Sequence, residues 1–181
     1  MKQTLILFMQ DEPGVLNRIS SLVRRRNFNI ESIVAGRTEK EGITRMTLVV
    51  NEPDMAKRKT IINNIKGLVD VYDVVDATGE NSHIREHALV KISVEGEQSK
   101  EIDQLVSNGN CRILDSDPKA MILELSGNEA TVENTIKMLE KFNILELLRS
   151  GKMAMISGNE KKHQPKLIKS NPYWVEGESN K

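Results

Sequence analysis

The sequence predicts an α+β protein built from two βαββαβ units in tandem. Three observations carry that expectation. The hydrophobic period switches between about 2 and 3.6 in the order strand, helix, strand, strand, helix, strand. The same order returns after a polar stretch near residue 80. With 181 residues, the chain has room for two small domains, on the usual prior of about 100–200 residues for each larger one.

In the first unit, Thr4 to Met9 is an apolar run ended by the turn signal Asp11-Glu12-Pro13-Gly14, which reads as a short buried strand. Val15, Leu16, Ile19, Leu22 and Val23 then form the stripe of an amphipathic helix, with Pro13 expected in its first turn. Asn29 to Arg37 and Ile43 to Val50 read as two strands joined by a turn at Glu41-Gly42. Pro53 and Asp54 open a second helix with Met55, Ile61, Ile62 and Ile65 inward and Gly67 as its stop, and Val69 to Val75 closes the unit as a strand.

The polar stretch Thr78 to Arg85 has linker composition. Beyond it Ala88, Val90, Ile92 and Val94 alternate as a strand, and Ile102, Leu105 and Val106 stripe a helix. Cys111 to Leu114 and Ala120 to Leu125 make two strands around Asp117-Pro118. Val132, Ile136 and Leu139 mark a helix, and Ile144 to Met155 returns as extended chain. Each unit is a split βαβ of roughly 75 residues, the ferredoxin-like motif. The expected boundaries are a first domain at 1–78, a linker at 79–85, a second ferredoxin-like domain at 86–158 and a flexible tail at 159–181. Tyr173 and Trp174 in the tail read either as incidental aromatics or as a docking anchor. Strand one carries Leu5 and Leu7 on one side but Ile6 and Phe8 on the other. A partner sheet is therefore expected over the second face, from the second domain or another copy, and with it an oligomer.

Composition narrows the function. Lys+Arg and Asp+Glu balance at 26 each, so no excess charge drives nucleic-acid binding. Arg24-Arg25-Arg26 falls where a helix end favours cations. No apolar run approaches the roughly 18 residues of a membrane span, and Leu5 to Met9 is too short for a secretory signal. One cysteine, Cys111, fits a reducing compartment, and the cytoplasm is expected. The sequence contains no G-x-G-x-x-G, P-loop, H-E-x-x-H, C-x-x-C or G-x-S-x-G pattern. His83, His87 and His163 fall in the linker, a strand start and the tail, as solvated residues rather than a converging metal or acid–base site.

The strand-to-helix loop holds the most chemistry. Helix amides exposed there can receive a carboxylate, Gly14 lets a ligand approach the backbone, and Asp11 can accept from an ammonium group. One loop could grip both ends of a free amino acid. A plain turn role for Asp11 is the alternative.

The segments Asp11-Glu12-Pro13-Gly14-Val15-Leu16, Arg25-Arg26-Asn27-Phe28-Asn29-Ile30-Glu31-Ser32-Ile33 and Arg45-Met46-Thr47 closely resemble the ACT domain of the acetolactate synthase (acetohydroxyacid synthase) regulatory small subunits. The likeness continues through Leu68 to Val71, Arg85-Glu86, Ala88 to Ile92, Ile113 to Asp115 and Arg149-Ser150-Gly151, covering roughly residues 2–158. Asn27 stands where a glycine is usual, Asp11 where many valine-responsive members have Asn, and Ser157 where an Arg often occurs.

The resemblance implies a first domain of ACT type and a non-catalytic chain acting on a large catalytic subunit. That partner would carry thiamine diphosphate, magnesium and FAD and make acetolactate from pyruvate. Feedback inhibition by a branched-chain amino acid, usually valine, is implied as well. The effector would lie between two ACT domains of a homodimer, against Asp11, Pro13, Gly14, Val15 and Leu16 of one and Asn29 and Ile30 of the other. The second domain, with no matching loop motif, would contact the large subunit. A stand-alone ACT-type sensor acting on another enzyme or a transcription factor is the other reading.

Overall fold

The computed structural model describes residues 2–78, 82–94, 99–107, 109 and 111–158; the tail with Tyr173 and Trp174 lies outside the described residues. The element order is β1 (Lys2–Gln10), α1 (Val15–Arg25), β2 (Asn29–Arg37), β3 (Ile43–Asn51), α2 (Met55–Lys66), β4 (Val71–Asp76), β5 (Ser82–Ser93), α3 (Ser99–Ser107), β6 (Arg112–Asp117), β7 (Ala120–Gly127), α4 (Glu129–Leu139), a 3-10 turn (Glu140–Phe142) and β8 (Ile144–Ile156). Two antiparallel sheets result, ordered β2-β3-β1-β4 and β6-β7-β5-β8. The βαββαβ reading thus holds in both halves.

Leu5, Leu7 and Met9 of β1 meet Ile19, Leu22 and Val23 of α1 and Ile61 and Ile65 of α2 in one buried cluster. Val90, Ile92, Leu123 and Leu125 do the same with Val132, Ile136 and Leu139 in the second half. Each sheet carries its helices on one face because its strands alternate inward and outward residues.

Local differences from the sequence reading have local causes. Helix α1 starts at Val15, with Gly14 as N-cap at φ 87°, so Pro13 lies in the preceding turn rather than in the first helical turn. Met55 is 64% exposed instead of inward. Arg58 is the buried side chain at this end of α2, donating Nε to the Glu52 carbonyl at 2.6 Å. Val69 is exposed in a turn, and β4 begins two residues later. Asn27 adopts φ 57°, a left-handed value that Asn tolerates better than most side chains, just after α1. Glycine, the residue that the resemblance leads one to expect here, adopts the same conformation without strain.

The expected linker 79–85 is too long, because β5 already begins at Ser82. Residues 82–86 pair with 152–156 of β8, whereas β7 pairs with β5 only from Glu86 onward. The extended β5–β8 ribbon reaches back over the first sheet. There Ala154, Ile84 and Ile156 pack on Ile6, Val75, Ala77 and Phe8. Burying a side chain of Ile6's size contributes about 1.5–3 kcal/mol. The second face of the first sheet is therefore covered from within the chain, and it no longer argues for an oligomer.

Candidate functional site

The loop after β1 is fastened on both sides. Gln10 N donates to the Asp70 carbonyl at 2.9 Å and Asp11 N donates to the Gly42 carbonyl at 3.0 Å. Asp11 Oδ1 accepts from Thr44 Oγ1 at 2.8 Å, and Oδ2 lies 3.4 Å from Arg37 Nε. The Asp11 carboxylate is thus turned toward the β2–β3 end. Gly14 closes the loop: its carbonyl accepts from Arg18 N at 3.0 Å, and a Cβ built on it would stand 3.3 Å from Arg18 Nη1. Arg18 is itself paired with Asp70 at 2.5 Å.

An open hollow of about 300 Å³ lies beside this loop, at the small end of the volumes that ligand pockets occupy. Asp11, Val15 and Leu16 line it together with Met9, Gln10, Glu12 and residues 35–37 and Thr44. Gln10 Oε1 is buried and meets no hydrogen-bond donor among the described residues. A buried acceptor without a donor costs free energy until one arrives. Val15 is buried and Leu16 is 45% exposed, so an apolar surface sits beside polar groups.

Of the residues singled out in the sequence, Asp11, Val15 and Leu16 come together here, and Pro13 and Gly14 shape the turn without lining the hollow. Asn29 and Ile30 do not join them within one chain. Arg37 pairs with Thr44 near this end of the sheet, whereas Asn29 pairs with Asn51 at the opposite end, roughly 26 Å away at about 3.3 Å per residue. Sequence reasoning missed Gln10, Arg37 and Thr44. Their positions follow from the register of β2, β3 and β1, in which Thr44 faces both Arg37 and Met9, and periodicity alone does not fix a register.

A second hollow, of about 640 Å³, opens between the halves and is lined by charged residues of β1, β2, α4 and β8. Glu86, buried in β5, accepts a two-pronged pair from Arg149 at 2.7 and 2.8 Å, and Glu133 binds the same guanidinium at 3.0 Å. Those hydrogen bonds hold Arg149 firmly in its charged form. His87 is half-buried and 2.8 Å from Glu124, not simply solvated. Among the described residues no group of three or more His, Cys, Asp or Glu is placed to hold a metal, and no helix is long and apolar enough to cross a membrane.

Known proteins resemble this arrangement over nearly its full length. A family model described as the AHAS small subunit-like ACT domain matches residues 5–73, and one described as the small subunit of acetolactate synthase matches residues 85–158. A probable acetolactate synthase small subunit of Archaeoglobus fulgidus is 37% identical over 89% of this chain and 100% of its own length. The acetolactate synthase small subunit of Bacillus subtilis is 30% identical over 90% and 94%. The crystal structure of the acetolactate synthase small subunit from Thermotoga maritima superposes with a TM-score of 0.81 at 31% identity, covering 88% of this chain and 99% of that one. Two ferredoxin-like halves in this order, the first of ACT type, and relatives spanning almost the whole described chain place it in the acetolactate synthase small subunit family.

Proposed function

We propose that the chain activates a separate catalytic subunit making acetolactate from pyruvate, and makes that subunit sensitive to a branched-chain amino acid, valine first. The observation that carries the reading is the hollow beside the Asp11 loop. It sets Val15 and Leu16, for a short apolar side chain, beside the polar residues Gln10, Asp11 and Thr44 that also line it. The amides at the start of α1 suit the ligand carboxylate. Thr44 and Arg37 hold the Asp11 charge away from that helix end, which keeps it from opposing the carboxylate.

The effector site is completed by a second copy. Strand β2 is an outer strand of its sheet, and its free edge can pair with the same edge of another chain about a twofold axis. In an antiparallel β2–β2 pair, Asn29 and Ile30 of one copy come beside Arg37 of the other, at the Asp11 end. Such a homodimer brings together residues that one chain keeps about 26 Å apart.

The thiamine diphosphate, magnesium and FAD implied by the resemblance belong to the catalytic partner, and the second domain is the surface offered to it. Free Cys111 is buried, and the cytoplasm is the proposed compartment. Reconstitution with the catalytic subunit tests the reading. Acetolactate production should rise on adding this chain and fall again with valine, leucine or isoleucine. Amino-acid binding without association to the catalytic subunit would instead favour a stand-alone sensor.

A further inference from the structure

Strand β2 is interrupted one residue after Ile30. The register with β3 runs Ile30 to Val50 and then Ser32 to Val49, so Glu31 is the extra residue of a β-bulge. A bulge frees a residue from the ladder and re-aims its side chain. Glu31 Oε1 lies 2.7 Å from Lys2 Nζ and 3.9 Å from Lys152 Nζ. Both lysines also bind Glu129, at 2.9 and 2.7 Å, and Glu129 is the first residue of α4 in the other half. Lys152 is only 10% exposed in its side chain, so part of this network is shielded from solvent screening.

Beside it the two halves touch backbone to side chain. Gly151 of β8 has φ +84°, and a Cβ there would stand 2.9 Å from Ser32 Cβ and 3.2 Å from Val34 Cγ2. Ser32 and Val34, just after the bulge, therefore lie close against the β8 backbone, with no space for a side chain at Gly151. The 640 Å³ hollow adjoining the network leaves room on its other side.

We propose that Glu31 is a coupling residue, reporting occupancy of the amino-acid site to the second domain through Lys2, Lys152 and Glu129. This rests on the proposed effector site, in which Asn29 and Ile30, the two residues before the bulge, touch the ligand. Ordering them fixes the backbone that carries Glu31, and the shared lysines pass that constraint to the first turn of α4. In the proposed homodimer, the amino acid gripped by the loop of one copy is thereby reported to the second domain of the other. Glu31 itself touches no ligand and acts as a positioning residue.

The test pairs calorimetric valine binding to the full chain with amide hydrogen exchange across residues 129–135, for the wild type, Glu31→Gln and Glu129→Gln. Valine should slow exchange in that turn of the wild type by about fivefold or more, the range of ordinary allosteric couplings. Both variants should bind valine within about threefold of wild type yet lose the valine-induced change. A merely structural role would alter exchange without ligand but keep that change. Binding with no effect on residues 129–135 of the wild type, or the same effect in both variants, overturns the relay and leaves the effector site standing. If valine does not bind, leucine and isoleucine take its place in the same experiment, and absence of binding by all three overturns the effector site, and the relay with it.

Discussion

Arg45 of β3 donates Nη2 to the backbone carbonyl of Ala154 in β8, tying the outer face of the first sheet to the last strand of the second. The same guanidinium sits 5.9 Å from the Phe8 ring centroid, and burial lowers its pKa. Two positions along, Thr47 Oγ1 accepts from Ala154 N at 3.4 Å. The Arg45-Met46-Thr47 segment therefore has a physical role: its outer residues clasp β8 while Met46 enters the core.

Arg45→Met keeps apolar bulk and removes the donor to Ala154. The loss of a hydrogen bond from a charged group should cost about 1.5–3 kcal/mol, read as a lower midpoint in denaturant unfolding. Unchanged stability would mean that the clasp contributes nothing.

Gly151→Val should part the two halves without unfolding either core. The φ of +84° and the 2.9 Å approach to Ser32 both oppose a side chain there, and the backbone term alone is about 1–2 kcal/mol. Small-angle scattering should report a larger radius of gyration, with the helical signal retained.

Asn27→Gly should be neutral or stabilising, by up to about 1 kcal/mol, because φ 57° costs glycine least. Thermal unfolding of the two proteins measures it; a clear loss of stability would show that the Asn side chain contributes something the backbone does not require.

The interdomain charges should give stability a sloping acid limb. Hydrogen bonds from Lys152 and then Lys2 lower the Glu129 pKa below its ordinary 4.5. Its contribution is therefore present above pH 4.5 and lost as pH falls through the lowered value. Lys2 is shifted the other way, chiefly by Glu31, so its contribution is full below 10.5 and fades only at still higher pH. Between these limits the two groups add no slope. Glu129→Gln should flatten the acid limb of unfolding free energy against pH; a limb as steep as wild type would contradict the assignment.

How much of this was legible in the sequence varies from residue to residue. Leu5, Leu7, Ile19 and Leu22 announced their strand and helix by period alone, because side-chain direction repeats at 2 and 3.6 residues. The Asp11 to Leu16 loop was legible as a strand-to-helix turn, but the sequence put Pro13 in the first helical turn, whereas the structure makes Gly14 the N-cap. The unpartnered Gln10 oxygen, the Thr44 hydrogen bond and the Arg37 contact were not, since they depend on which residues face each other across three strands. Ser82 to Arg85 looked like linker because its residues are polar. It pairs along one edge only and sends Ile84 alone into the interdomain cluster, a pattern too sparse for periodicity to reveal. The partner-facing role of Asn29 and Ile30 came from family resemblance, and one chain by itself keeps them far from the loop.

The most direct test of the account is a valine titration of the reconstituted complex containing wild-type chain or Gly14→Asp, alongside calorimetry on the small subunit alone. Asp tolerates the left-handed φ of 87° better than most residues, and its carboxylate would stand near Arg18, so the fold should lose no more than about 1–2 kcal/mol. The new charge occupies the helix end that should receive the ligand carboxylate. The account predicts that Gly14→Asp still activates the catalytic subunit but binds valine at least about tenfold more weakly, a difference of about 1.4 kcal/mol, and no longer confers inhibition. Wild-type binding and inhibition in Gly14→Asp would contradict it, and the Asp11 loop would not be the effector site.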